Sequence, residues 1–357
     1  MNTINLEGII PAVIVPMRQD YSIDFEAFRH YLHWIISQRP VGLAVNVDTG
    51  EGPYLTPDER IQIIKTARDV AAGQCYIVAG VGGPGTLTAI ANAKAARDAG
   101  ADALLVFPTP AFLNEPLDVR IAYEYHRAIA EASGLPLIVF QLGPVFGGVN
   151  YAPEALAKVL TLPQVIGLKD ASFDAQRFSL TRDIVRQADH PITLLSGNDN
   201  FLLESFLLGA KGGLLGYGAV GVGLLVEMLE AVAKKDFERA AVMQTRVQGF
   251  CDYIYGQPIG DYRARCKVAL VHMGILTPEQ TYVRPPFLSL WDAEQEAACR
   301  AVEEAGLLEI IKHLAKRMKT KWNIDIWNLR ACRSLPCHWA HGSPSGNKWT
   351  RTWHTTV

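Results

Sequence analysis

The sequence predicts an α/β protein, a (β/α)8 TIM barrel with a C-terminal helical appendage, from three observations. Short apolar runs recur eight times, over residues 9–15, 42–47, 76–80, 103–107, 137–141, 165–169, 193–196 and 212–215. Longer stretches of helical periodicity separate them. Within each run the apolar residues are nearly continuous instead of alternating, the pattern of parallel strands covered on both faces. Eight such alternations within about 225 residues fit a closed barrel better than the alternative, an open doubly wound sheet.

The helical stretches include residues 24–38, 57–72, 86–99 and 117–132. Thr56-Pro57-Asp58-Glu59 reads as a helix start, with a capping threonine, proline at the first helical position and acids at the positive dipole end. After Gly221 the pattern turns wholly helical, near residues 223–234, 236–255, 262–273 and 292–304. The expected organisation is a barrel carrying the active site over 1–234, a helical domain over 235–318 and an irregular tail over 319–357. The tail crowds Trp322, Trp327, Trp339, Trp349 and Trp353 with Cys332, Cys337, His338 and His341, in no standard zinc spacing. No metal and no cofactor are expected.

Composition narrows the function classes. With 49% hydrophobic residues a large core is feasible, and a formal net charge of −2 without a basic run argues against nucleic-acid and anionic-membrane partners. No run of about 20 apolar residues suggests a membrane span, and the first residues lack signal-peptide regions. Cys75, Cys251, Cys266 and Cys299 are scattered, as expected of reduced thiols. These features point to a cytoplasmic protein.

Chemistry in such barrels sits at the C-terminal ends of strands. Lys169 closes the apolar run Val165-Ile166-Gly167-Leu168. Apolar walls strip hydration from an ammonium, lower its pKa and expose a nucleophilic amine. The plainer alternative is a lysine reaching solvent from a strand end. The turn Asp48-Thr49-Gly50-Glu51 suits an anion, because backbone N–H groups beside Gly50 and the Thr49 hydroxyl can hold a carboxylate; it also suits an ordinary capping loop. Gly80-Val81-Gly82-Gly83-Pro84-Gly85 fits a dinucleotide-binding pattern, yet it lies in the third βα unit and Pro84 removes a donor. A glycine-rich loop giving a ligand close access is the better reading.

Taken together, these residues resemble the dihydrodipicolinate synthase / N-acetylneuraminate lyase family from about Gly8 to Leu314. The segments that carry the likeness are Gly8–Met17, Thr49-Gly50-Glu51, Ala79–Gly82, Gly167-Leu168-Lys169-Asp170-Ala171-Ser172, Leu195-Ser196-Gly197 and Val283-Arg284-Pro285-Pro286. The resemblance implies a barrel with a helical C-terminal domain, assembled as a homo-oligomer (tetramer or dimer). It implies that Lys169 forms a Schiff base with a small 2-oxo acid such as pyruvate and that Thr49 binds the acid's carboxylate. Gly197 and Leu214 align with positions near the bound substrate.

The departures are specific. Phe140 stands where the family's relay tyrosine is found, and Asp48 where it usually has Thr or Ser. Pro110-Ala111-Phe112-Leu113-Asn114 lacks a phenol, and no arginine lies between Gln141 and Tyr151. Synthesis of dihydrodipicolinate itself is therefore not expected. Asp48 is the expected replacement acid/base, provided it is protonated or turned from the substrate carboxylate. The prediction is a Schiff-base lyase, an aldolase or dehydratase acting on a sugar-acid-like 2-oxo acid. The competing reading is a 2-oxo-acid-binding homologue with little turnover.

Overall fold

The computed structural model describes residues 4–113 and 118–309. The predicted tail and its Cys/His cluster lie outside them. Eight strands, β1 (Ile9–Pro11), β2 (Gly42–Val45), β3 (Tyr76–Val81), β4 (Ala103–Val106), β5 (Leu137–Leu142), β6 (Val165–Ala171), β7 (Thr193–Ser196) and β8 (Gly212–Leu215), form one sheet. They alternate with α1 (Phe25–Ile36), α2 (Pro57–Ala71), α3 (Thr86–Asp98), α4 (Val119–Ser133), α5 (Pro153–Val159), α6 (Ala175–Arg186), α7 (Leu202–Leu207) and α8 (Gly218–Ala233).

Every strand pair is parallel, in the order β1-β8-β7-β6-β5-β4-β3-β2. The two ends of that order meet. The Val41 amide donates to the Ile9 carbonyl at 2.9 Å, and the Val13 amide to the Ala44 carbonyl at 3.1 Å. A (β/α)8 barrel results, as predicted. β1 is shorter than its apolar run because beyond Pro11 the chain bonds β8 and β2 by turns, with the Ala12 amide on Leu215 and the Val13 amide on Ala44.

Alternation within the strands sorts the core into two clusters. Ile10, Ala44, Val78, Leu105, Ile138 and Leu195 fill the barrel interior. Leu43, Val45, Leu104, Val139, Leu168 and Leu194 face the surrounding helices. The Thr56 capping box is formed, with Thr56 Oγ1 accepting from the Glu59 amide and Glu59 Oε2 from the Thr56 amide. Each such cap satisfies donors that an isolated helix end leaves bare.

Beyond the barrel, α9 (Phe237–Ile254), α10 (Tyr262–His272) and α11 (Trp291–Glu304) pack together. α10 is buried around nearly its whole circumference, including Arg263, Arg265 and Lys267. Three cations on one buried helix need partners: Arg263 and Lys267 find theirs on Asp48 and Glu51 at the mouth of the barrel, and Arg265 on the carbonyls after α9 and on Glu294. No helix among the described residues is long and apolar enough to cross a membrane. No disulfide joins the described cysteines.

Candidate active site

Lys169 lies on β6 with its neighbours in register on both sides: Phe140 on β5 and Leu195 on β7. Strand alternation turns Lys169 and Ala171 into the barrel, while Leu168 and Asp170 point outward. The side chain rises into a pocket at the C-terminal ends of the strands, with Asp48, Thr49, Phe140, Gly197 and Asp199 in its wall. Its Nζ sits 4.1 Å from the centre of the Phe140 ring. Burial lowers its pKa to about 8, against the opposing pull of Asp199 and then Asp48. Desolvation thus leaves a sizeable fraction of free amine near neutrality.

The glycine that aligns with the pocket has a direct steric reason to be there. A Cβ on Gly197 would stand 2.6 Å from Lys169 Cε and 2.8 Å from Ala171 Cβ. Outward-facing Asp170, fully buried, accepts from Gln141 Nε2 at 2.6 Å, the Ser172 amide at 3.0 Å and Ser172 Oγ at 2.7 Å. This network holds the ends of β5 and β6 together, so the Lys-Asp-Ala-Ser run supplies both the amine and its footing.

Two carboxylates act on that amine. Asp48, at the start of a short 3-10 turn, keeps 30% of its side-chain surface exposed at the mouth. Crowding there still raises its pKa; burial is the leading cause, opposed by Arg263 and Lys169. Arg263 fixes it from α10, with Nε on the Asp48 carbonyl at 2.6 Å and Nη2 3.5 Å from Oδ1. Asp199, after β7, is buried, and burial raises its pKa to about 6. It accepts from the Tyr217 amide at 3.2 Å and from the Tyr255 hydroxyl at 3.1 Å.

The Asp199–Tyr255 pair was not among the sequence-derived site residues. Tyr255 caps α9 and brings a phenol into the pocket from the helical appendage. Gly216 makes the room: a Cβ there would meet the Tyr255 oxygen at 2.2 Å and Thr49 Oγ1 at 3.6 Å. A second phenol, Tyr262 on α10, lines the pocket with Thr49. Neither shows in local sequence pattern, because both reach the barrel from a distant segment.

The structure does not bring every expected residue to the pocket wall. Gly50 packs under the turn, where a Cβ would meet the Val13 carbonyl at 2.7 Å. Leu214 lies in the interior cluster with Ile10 and Leu195; Gly216, two residues on, lines the pocket in its place. The Gly80–Gly85 loop lines no part of the pocket either, contrary to the ligand-access reading. Gly80 is there because a Cβ would stand 2.4 Å from the Asn46 carbonyl, and Gly82 because one would stand 3.0 Å from Phe107 Cβ. No cluster of metal-ligating side chains occurs among the described residues.

The model of the dihydrodipicolinate synthetase family matches residues 5–305. The chain belongs to that family. It shares the family's enzymatic class, that of a lyase. A 4-hydroxy-tetrahydrodipicolinate synthase of Methylobacterium radiotolerans is 30% identical over 303 residues, covering 85% of this chain and 97% of that protein. The chloride-inhibited dihydrodipicolinate synthase of Acinetobacter baumannii, solved with pyruvate, is 29% identical with a TM-score of 0.74, covering 85% of this chain and all (100%) of that one. The Thermotoga maritima dihydrodipicolinate synthase, at 23% identity and a TM-score of 0.76, shares the fold over 85% of this chain and 99% of its own.

Proposed function

We propose that this chain is a Schiff-base lyase acting on pyruvate or a related small 2-oxo acid through Lys169. The observation that carries the reading is one amine, turned into the barrel mouth among apolar walls and beside the Asp48-Thr49 turn. Pyruvate bound to the Acinetobacter baumannii relative is consistent with it.

In the proposed reaction the neutral Lys169 amine adds to the C2 carbonyl and the carbinolamine loses water, giving an iminium. The iminium draws electrons from C3, so a C3 proton leaves and an enamine forms. The C3 electron pair of the enamine then attacks an aldehyde carbon, and the aldehyde oxygen takes up a proton. Hydrolysis of the new iminium returns the amine. Cleavage runs the same steps backward. Thr49, with its neighbouring amides, holds the substrate carboxylate.

A proton carrier is needed wherever oxygen gains or loses a proton, and Phe140 cannot serve. Asp199 with the Tyr255 phenol supplies a relay on one side of Lys169, and Asp48 a raised-pKa carboxyl on another. The Asp48–Arg263 contact offsets the repulsion that an ionised Asp48 would exert on the substrate acid. We also propose a cytoplasmic homo-oligomer, a reading that rests on the sequence and family resemblance alone.

The test is release of pyruvate from a panel of 4-hydroxy-2-oxo acids and 2-keto-3-deoxy sugar acids. Turnover of at least one member of the panel, abolished in Lys169→Ala, is expected. Loss of the strand-five phenol favours a second reading, binding without turnover; a panel that is bound but not cleaved would establish it instead.

A further inference from the structure

The Lys169 pocket does not end at the lysine. Phe146, Phe173 and Tyr255 line it on one side, and the same three residues line a second cavity further out. That outer cavity runs between the loops after β5 and β6 and the C-terminal end of α9, with Ile259 and Cys251 completing its apolar wall. The Phe146 and Phe173 rings lean together, centroids 4.6 Å apart. A substrate tethered to Lys169 and extended outward therefore runs along an aromatic wall.

Phe173 is held there deliberately. Its φ of 58° is left-handed, a conformation disfavoured for an aromatic residue. Two asparagines hold it, with the Phe173 amide donating to Asn198 Oδ1 at 2.7 Å and Asn200 Nδ2 donating to the Phe173 carbonyl at 3.3 Å. Asn198 is in turn anchored to the Asp170 carbonyl at 2.8 Å. The ring's position is thus coupled to the strand that carries Lys169.

Charge decides what the outer cavity takes. Among the described residues no lysine or arginine lines it, and Asp252 is the one carboxylate. Most of its polar side-chain groups are already engaged: Gln248 Nε2 donates to Asp252 Oδ1 at 2.7 Å, Gln248 Oε1 accepts from Gln244 at 3.1 Å, Asn200 Nδ2 donates to the Phe173 carbonyl and the Tyr255 hydroxyl to Asp199. An anionic group would meet Asp252 with no counter-charge, and a polyhydroxylated chain would lose hydrogen bonds to water against Phe146, Phe173 and Ile259. An aromatic ring would lose little and gain stacking.

We propose that this cavity is the acceptor subsite and takes the uncharged aromatic group of an aryl aldehyde, or of the corresponding aldol in the cleavage direction. The assignment rests on the Schiff-base reading for its chemistry, but binding can be measured without turnover. Ligand-observed NMR with benzaldehyde and glyceraldehyde as probes should show benzaldehyde bound and glyceraldehyde not. Ile259→Asp and Phe146→Ser, two variants on separate segments, should each weaken benzaldehyde binding about tenfold or more. Aldol addition to pyruvate should favour benzaldehyde over glyceraldehyde in kcat/KM by a similar factor. Equal binding of the two aldehydes, or benzaldehyde binding indifferent to both substitutions, overturns the subsite. Benzaldehyde binding retained without any borohydride-trapped pyruvate adduct upholds the subsite and sinks the Schiff-base reading instead.

Discussion

Glu51 and Lys267 form an ion pair 2.6 Å long in which neither side chain has any exposed surface. Lys267 Nζ also donates to the Tyr282 carbonyl at 2.6 Å, and Glu51 Oε2 accepts from the Arg284 amide at 2.6 Å. The pair thus bolts the turn that carries Asp48 and Thr49 to α10 and to the Val283-Arg284 segment. Burying two charges is costly, so its value lies in position more than in net stability. Lys267→Met leaves Glu51 buried without its counter-charge and should destabilise the fold by about 3–5 kcal/mol. Urea unfolding checks this; a loss below about 1 kcal/mol, the range of an exposed pair, would mean the pair holds nothing in place.

Gly197→Ala puts a methyl group where Lys169 Cε now passes. Gly197 does not adopt a left-handed φ, so the protein should still fold and the damage should be local. A nucleophile displaced by about 1 Å loses on the order of 10²-fold in rate. Stopped-flow measurement of pyruvate adduct formation reads the effect directly, and an unchanged rate would mean that the lysine does not follow the path seen here.

Lys169 should become reactive as its ammonium deprotonates. With its pKa lowered to about 8, the trapping rate at low pyruvate should rise with pH and level off above that value. Asp199 opposes this lowering, since a negative charge nearby favours the ammonium. Asp199→Asn should therefore move the inflection to lower pH. No shift would show that the two groups do not interact, and an upward shift would show that Asp199 does not favour the ammonium.

The two proton carriers can be told apart. Tyr255→Phe removes only a hydroxyl and should lower turnover by about 10²–10⁴ while the pyruvate adduct still forms. Asp48→Asn should do the same if Asp48 carries the proton on its own side. Comparing multiple-turnover rates with adduct yield in each variant assigns the role. Full turnover in Tyr255→Phe would return the Asp199–Tyr255 bond to a packing function.

The barrel was legible because its signals are local. Each strand is a continuous apolar run, and Thr56 and Glu59 form in the structure the helix start that their spacing announces. Lys169 was legible for the same reason, as a charge ending such a run. Asp199 was less so: it follows Gly197 and Asn198 in what reads as an ordinary loop, and only burial against Tyr255 and Tyr217 distinguishes it. Tyr255 and Arg263 come from α9 and α10, whose approach to the barrel mouth is a tertiary fact with no local pattern. Leu214 and Gly216 share a strand direction, and which of them reaches the pocket depends on depth along the barrel axis, which strand tilt sets and periodicity does not reveal.

Borohydride reduction in the presence of pyruvate, followed by peptide mass mapping, tests the central claim most directly. A reduced pyruvate adduct on Lys169, absent in Lys169→Ala and on every other lysine, is the predicted result. No adduct at Lys169 under conditions where the protein is folded would contradict the account.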